Sequence, residues 1–213
     1  MIEYPKIYGP YKRFTEGELR NKLDVSRWTK PEFELVRNLP FVWTEKIDGT
    51  NIRIHWDGHK PSFAGRTDNA QLHKDLLARL VDLFPEEMFE QMFGSKEVTL
   101  FGEGYGAGIQ KGGGNYGLSK DFILFDVLID GLWLQRDPIE NVANGMGIDV
   151  VPVKYIGSPL EAIDLISRRL ILSNWIDVEM EGIVGTIYEG LLDRRGNRIQ
   201  MKVKLADFPF KEI

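Results

Sequence analysis

Between Phe41 and Trp56 the sequence has few ways to fold. Phe41-Val42-Trp43-Thr44 is an apolar, β-prone run that leads into Glu45-Lys46, and Ile52-Arg53-Ile54-His55-Trp56 alternates with a period of two. Alternation of that kind marks a strand with one buried face. Asp48-Gly49 separates the two runs, and Asp57-Gly58 ends the second with a hairpin signal. The reading is antiparallel sheet with Lys46 at the end of a strand. A lysine so placed is held by the sheet while its amine points into whatever the following turn borders, which is how a nucleophile is presented to a bound substrate. Lys-x-Asp-Gly also arises by chance in roughly one chain in twenty of this length. The rest of the chain has to decide between a nucleophile and a surface lysine before an ordinary turn.

Residues 1 to 40 mix charged and aromatic side chains with weak periodicity, and read as a loosely structured lead-in with one short helix between Pro31 and Arg37. Ser62 to Thr67 reads as a short strand. From Asn69 to Phe93, Leu72, Leu76, Leu77, Leu80, Val81, Leu83 and Phe84 fall at helical spacing, and Pro85 starts a second helix. Val98 to Glu103 is a strand ending in a carboxylate, followed by a glycine-rich loop to Gly117 that contains no P-loop. Phe122 to Ile129 is the clearest buried strand, and Asp130-Gly131 turns it into Leu132-Trp133-Leu134. Asp126 within that run needs a polar partner. Ser158-Pro159-Leu160-Glu161 carries a cap, a first-turn proline and a capping-box glutamate, so a helix starts there. Ile199, Met201, Val203 and Leu205 share one face of a last strand, which leaves Lys202 and Lys204 together on the other. Two like charges side by side repel unless an anion joins them, and phosphate is the natural candidate.

Composition narrows the function. A chain of 213 residues with 43% hydrophobic content suits one well-cored domain spanning residues 1–213. No apolar run reaches membrane-span length and the N-terminus has no leader pattern, so an intracellular, cytoplasmic protein with no membrane partner is expected. There is no cysteine, and His55, His59 and His73 lack zinc spacing. Any metal is then a hard cation on carboxylates. The formal net charge of -5 argues against tight nonspecific nucleic-acid binding. It leaves room for a local basic site, and Arg194, Arg195, Arg198, Lys202 and Lys204 follow one another with no acid among them.

Glu45-Lys46-Ile47-Asp48-Gly49-Thr50-Asn51 resembles the first motif of the covalent nucleotidyltransferases: DNA ligases, RNA ligases and mRNA capping enzymes. Thr50-Asn51 looks most like the nick-sealing RNA ligases of phages and kinetoplastid editing complexes. Further elements of that pattern follow in order: Gly65-Arg66-Thr67; Glu103 with Gly108-Ile109-Gln110 and Tyr116-Gly117; Phe125-Asp126; Glu181-Gly182-Ile183-Val184; and Lys202-Val203-Lys204. The resemblance covers residues 45 to 204.

The resemblance implies an α+β nucleotidyltransferase (adenylation) domain, with antiparallel sheets forming an ATP-grasp-like cleft, helices outside and no OB domain. It implies an ATP-dependent RNA ligase that joins 3′-OH and 5′-phosphate ends of RNA strands. Lys46 would attack the α-phosphorus of ATP to form lysyl-AMP, and AMP would then pass to the RNA. An unperturbed lysine of pKa about 10.4 is only about 0.1% neutral near pH 7.5, so the site has to favour the free amine. By the same resemblance Glu45, beside the nucleophile, helps read the base through its backbone or side chain, Ile47 contacts the nucleotide, Arg66 reaches the nucleotide or a substrate phosphate, Glu103 holds ribose hydroxyls and Phe125 stacks on adenine. Glu181 places Mg2+ or Mn2+, with Asp48 and Asn51 ordering its waters or a substrate phosphate, and Lys202 and Lys204 neutralise the α-phosphate. The chain ends nine residues after Lys204, where relatives continue into another domain. A minimal catalytic domain, or a partner protein or oligomer that supplies the substrate surface, is expected. Two alternatives stand beside this: a GTP-using capping guanylyltransferase, and a noncatalytic nucleotide-binding scaffold.

Overall fold

The computed structural model describes residues 1–175 and 178–208. In chain order the elements are β1 (Tyr11–Arg13), β2 (Leu23–Trp28), α1 (Pro31–Leu35), β3 (Phe41–Lys46), β4 (Thr50–Trp56), β5 (Pro61–Ala64), α2 (Lys74–Leu83) and α3 (Glu86–Phe93). Then come β6 (Val98–Tyr105), β7 (Asp121–Ile129), β8 (Leu132–Trp133), α4 (Arg136–Met146), β9 (Val153–Gly157), α5 (Pro159–Ser167), β10 (Gly182–Ile187) and β11 (Gln200–Lys204). This is an α+β fold in which the paired strands run antiparallel. The chain forms two compact units, the first made of Met1–Pro5 and Ile47–Val151, the second of Lys6–Lys46 and the chain from Pro152 on. No helix among the described residues is long and apolar enough to cross a membrane.

The first unit is a five-stranded sheet in the order β5-β4-β6-β7-β8. The period of two in Ile52-Arg53-Ile54-His55-Trp56 sends Ile52, Ile54 and Trp56 to one face, where they pack with Leu100 and Leu124 against Leu76 and Leu80 of α2, Phe89 of α3 and Ile139 and Ala143 of α4. Each of the buried Ile, Leu and Phe side chains stabilises the fold by about 1.5–3 kcal/mol. The indole of Trp56 donates to the Gly94 carbonyl at 2.8 Å, so its polar end is not stranded in the core. Asn51 pairs with Glu103 and Arg53 with Phe101. These four therefore share the opposite face.

The second unit holds a four-stranded sheet in the order β11-β10-β3-β9, with the hairpin β1-β2 beside it in the chain. Phe41 and Trp43 of β3, Ile183 and Ile187 of β10 and Met201 and Val203 of β11 make one apolar face, covered by Ala162 and Ile166 of α5 and by Phe33 of α1. The capping box at the start of α5 is complete: Glu161 N–H donates to Ser158 Oγ at 3.3 Å and Ser158 N–H donates to Glu161 Oε2 at 2.7 Å.

Three features differ from the sequence reading. Asp48-Gly49 does not close a hairpin, because β3 and β4 belong to different sheets and the chain changes sheet there. Gly49 allows the crossing, since a Cβ on it would stand 2.3 Å from the Gly104 carbonyl oxygen. The lead-in contains the β1-β2 hairpin. It gives no periodic signal because β2 buries a single residue, Asp24. Finally, α4 was not expected, since Pro138 and Gly145 dilute its helical pattern. It is held by Ile139, Ala143 and Met146 on one face and ends at Gly147, whose φ of 64° suits a glycine.

Candidate active site

The second unit presents Lys46 through the register of its sheet. Gly182, at the start of the inner strand β10, lies opposite Lys46 on β3 and opposite Lys204 on β11. Directly paired residues point to the same face, so the two lysines rise on either side of a residue with no side chain. Glu181, one residue earlier, reaches both. Its Oε2 accepts from Lys46 Nζ at 2.5 Å and its Oε1 is 2.6 Å from Lys204 Nζ. The Glu181 backbone is fixed too, because its carbonyl accepts from Leu205 N–H at 3.0 Å. Burial pushes the Glu181 carboxyl up, but the charges and hydrogen bonds of Lys46 and Lys204 outweigh it and hold the group below the usual carboxylate range. Lys202 pairs with Val184 two positions along, on the same face as Lys204. The anion that the lysine pair called for is, in this structure, the Glu181 carboxylate on Lys204.

Glu45 points the other way. It is adjacent to Lys46 on β3, so its side chain enters the apolar face, where only 2% of the residue is exposed. A bare carboxylate there would be costly. It accepts from Ser173 Oγ at 2.6 Å and Asn174 N–H at 3.0 Å, and Lys154 Nζ lies 3.8 Å away. Lys154 in turn donates to Asn174 Oδ1. The carboxylate thus ties the segment around Ser173 to the strand that carries Lys46, and what Glu45 can offer a base is its main chain.

In the first unit, Asp48 Oδ2 accepts from Gly112 N–H at 3.0 Å. A Cβ on Gly112 would stand 2.5 Å from the same oxygen, so a larger residue there would displace the Asp48 carboxylate. Asp48 therefore pins the glycine-rich loop, and Tyr116 Oη accepts from Asp48 N–H at 3.4 Å. Asn51 and Glu103 stand side by side, and Asn51 Oδ1 is buried without a hydrogen-bond partner. A buried acceptor left so is suited to a donor from a ligand. Phe125 is the extra residue of a β-bulge: Phe101 pairs with Asp126 and Gly102 with Leu124, leaving Phe125 between. The bulge re-aims its ring, which is partly exposed. Ile47 is buried, and Arg66 is exposed on the bend after β5.

Sequence reasoning missed two residues here. Arg53 is fully buried, and donates Nε to the Gly65 carbonyl at 2.7 Å, Nη1 to the Met1 and Ile2 carbonyls at 3.0 and 3.2 Å, and Nη2 to Asp68 at 2.8 Å. Its place between two core isoleucines was the available signal, since alternation puts it on the face of Asn51. Tyr4 donates to Asp126 Oδ2 at 2.7 Å, from 122 residues away. It is the partner that a buried Asp126 required, and no local pattern points to it.

Among the described residues no three Asp, Glu or His side chains converge to cage a metal. Glu181 is engaged by two lysines and Asp48 by a backbone amide. This donor set fits a divalent ion that keeps water and phosphate as most of its ligands and takes one protein carboxylate.

Comparison with known proteins gives the family and the fold. Comparison with curated proteins by sequence gives no match. Among solved structures, a lysine-to-alanine variant of Naegleria gruberi RNA ligase with ATP and Mn matches with a TM-score of 0.65 at 18% identity, covering 82% of this chain and 51% of that one. The same RNA ligase with PPi matches with a TM-score of 0.63 at 19% identity, covering 82% and 52%. An aspartate-to-alanine variant in the apo state matches with a TM-score of 0.64 at 17% identity, covering 83% and 52%. The chain thus spans about half the length of the solved structures it matches, and shares their fold. Residues 39–204 match the family model described as RNA ligase, a span that takes in Lys46, Glu103, Phe125, Glu181 and Lys204, and the chain belongs to the RNA ligase family.

Proposed function

We propose that this chain is an ATP-dependent RNA ligase that works through a lysyl-AMP intermediate, with residues 1–213 acting as one nucleotidyltransferase domain. The observation that carries the reading is the Lys46–Glu181–Lys204 cluster, set by the shared register of Gly182, in a chain of the RNA ligase family. Lys46 Nζ leaves its ion pair with Glu181 and attacks the α-phosphorus of ATP. The ammonium first gives up one proton to solvent to become the free amine; its attack forms the N–P bond as the bond from the α-phosphorus to the bridging oxygen breaks, pyrophosphate departs and Nζ releases a second proton to solvent. Lys204 and Lys202 offset the charge that grows on the α-phosphate.

On the five-stranded sheet, Glu103 takes the ribose hydroxyls, Phe125 stacks on adenine, and Arg66, exposed and planar-headed, meets a phosphate. Asn51 supplies an acceptor, while Asp48 keeps the glycine-rich loop in place. Glu181 would hold Mg2+ or Mn2+, which would supply charge neutralisation at the phosphates. AMP then moves from Lys46 to the 5′-phosphate of an RNA strand, and a 3′-OH displaces AMP to seal the break. A net charge of -5 keeps the polynucleotide affinity low. The protein therefore acts best on a nicked duplex, where base pairing aligns the two ends.

The test is self-labelling with α-labelled ATP or GTP in the presence of Mg2+. The expected result is an acid-labile, alkali-resistant phosphoramidate of AMP that vanishes in Lys46→Ala, followed by sealing of nicked duplex RNA. Preferential labelling by GTP would replace the ligase with a capping guanylyltransferase, and no labelling by either would leave a nucleotide-binding scaffold.

A further inference from the structure

The N-terminal five residues belong to the first unit, although more than forty residues separate them from its next segment. They lie on a specific face. Arg53 and Asn51 are two apart on β4, and Phe101 and Glu103 two apart on β6, in unbroken register. All four therefore project on the side opposite the helices. Arg53 holds the carbonyls of Met1 and Ile2 on that side. The Tyr4 ring meets Phe101 at a centroid distance of 5.1 Å, Phe125 at 5.0 Å with an interplanar angle of 74°, and Trp133 at 5.7 Å with an angle of 88°. Its hydroxyl is anchored on Asp126, whose other oxygen accepts from Val127 N–H at 3.0 Å.

We propose that Tyr4 is a positioning residue for nucleotide binding: clamped by Asp126 and by the strap that Arg53 holds, it fixes the ring of Phe125 at the angle that stacks on the base. This deepens the proposed function and rests on its reading of Phe125 as the base-stacking ring. The physical case is that Phe125 sits on a bulge, where the strand ladder is locally broken and the regular pleat no longer sets its direction. An edge-to-face contact on one side of the ring fixes that direction and leaves another part of it uncovered. Fixing the ring in advance removes an ordering cost from binding, so the effect falls on affinity for the nucleotide rather than on phosphoryl transfer.

The experiment measures self-adenylation against ATP concentration for the full chain and for Tyr4→Leu, Tyr4→Phe, Phe125→Ala and the double variant Tyr4→Leu/Phe125→Ala, with thermal melts on each. Leucine keeps apolar volume but removes the ring contact and the hydroxyl, whereas phenylalanine keeps the ring. The expected result is a KM for ATP raised about fivefold in Tyr4→Leu and about tenfold in Phe125→Ala with kcat within about twofold, restored to about twofold in Tyr4→Phe. The double variant is expected to be no worse than Phe125→Ala alone. A Tyr4→Leu protein with wild-type KM, or additive effects in the double variant, would overturn the positioning role while leaving the stacking reading intact. A Phe125→Ala protein with wild-type KM would remove the stacking reading and the role of Tyr4 with it. If Tyr4→Leu does not fold, Tyr4→Phe combined with Asp126→Asn decides: a KM like wild type overturns the clamp, and a raised KM in a folded protein supports it.

Discussion

Gly182 stands opposite Lys204 so closely that a Cβ on it would lie 2.1 Å from the Val203 carbonyl oxygen. No side chain fits there without parting β10 from β11. Gly182→Ala is expected to cost about 2 kcal/mol by overpacking and to move Glu181 away from Lys204. Self-labelling of this variant should fall at least about a hundredfold, far more than the loss of folded protein explains. Urea denaturation measured beside the labelling assay separates the two effects.

The Glu181 ion pairs predict a specific pH dependence. The folded carboxyl lies below its ordinary value of 4.5, so its stabilisation is fully present above that value and is lost as pH falls through the lowered folded pKa. Glu181→Gln is expected to be less stable than wild type by about 2 kcal/mol at pH 7 and to converge with it as the pH drops below about 4. Urea titrations at pH 7, 5 and 3.5 check this. A gap that does not shrink in acid would show that the ion pairs are not its source. The same variant should self-adenylate poorly at pH 7.

Glu45→Ala removes the acceptor of Ser173 and Asn174 and leaves Lys154 without its nearby carboxylate. Breaking a buried charged network by removing one partner costs about 3 kcal/mol. The expected outcome is a lower melting temperature together with faster proteolysis around residues 168–175. Glu45→Gln keeps the shape and part of the hydrogen bonding, and should lose less than half as much.

Arg53→Met tests the strap. Methionine fills much of the volume but leaves the carbonyls of Gly65, Met1 and Ile2 without their donor, at a cost of about 3 kcal/mol. Hydrogen exchange should rise first in residues 1–5 and at Gly65, before the strands of the five-stranded sheet open. Uniform exchange across that sheet would show that Arg53 supports the whole fold rather than the strap.

Much of this site was legible because sheet chemistry is local in sequence. The alternation through Ile199–Leu205 put Lys202 and Lys204 on one face, and the structure finds Met201 and Val203 buried on the other. Phe122–Ile129 read as buried strand, and it is. What the residues alone could not show is pairing at long range. That Glu181 would bridge Lys46 and Lys204 depends on three strands meeting in register, and Tyr4 on Asp126 depends on a chain end returning to a distant strand. The sheet change at Asp48-Gly49 was hidden for another reason. An Asp-Gly between two strands has the same local chemistry whether or not the strands pair.

The order of the strands along the chain also sets an order in time. β3 leaves the ribosome early, yet its neighbours β9 and β10 are residues 153–157 and 182–187, beyond the whole of Ile47–Val151. Pairings of such separation form slowly and late. During synthesis the five-stranded sheet can assemble first, while the strand ending in Lys46 waits without partners. A nascent chain has therefore no register to set Lys46 beside Glu181 until β10 has been made, and none to bring Lys204 to them until β11 has followed.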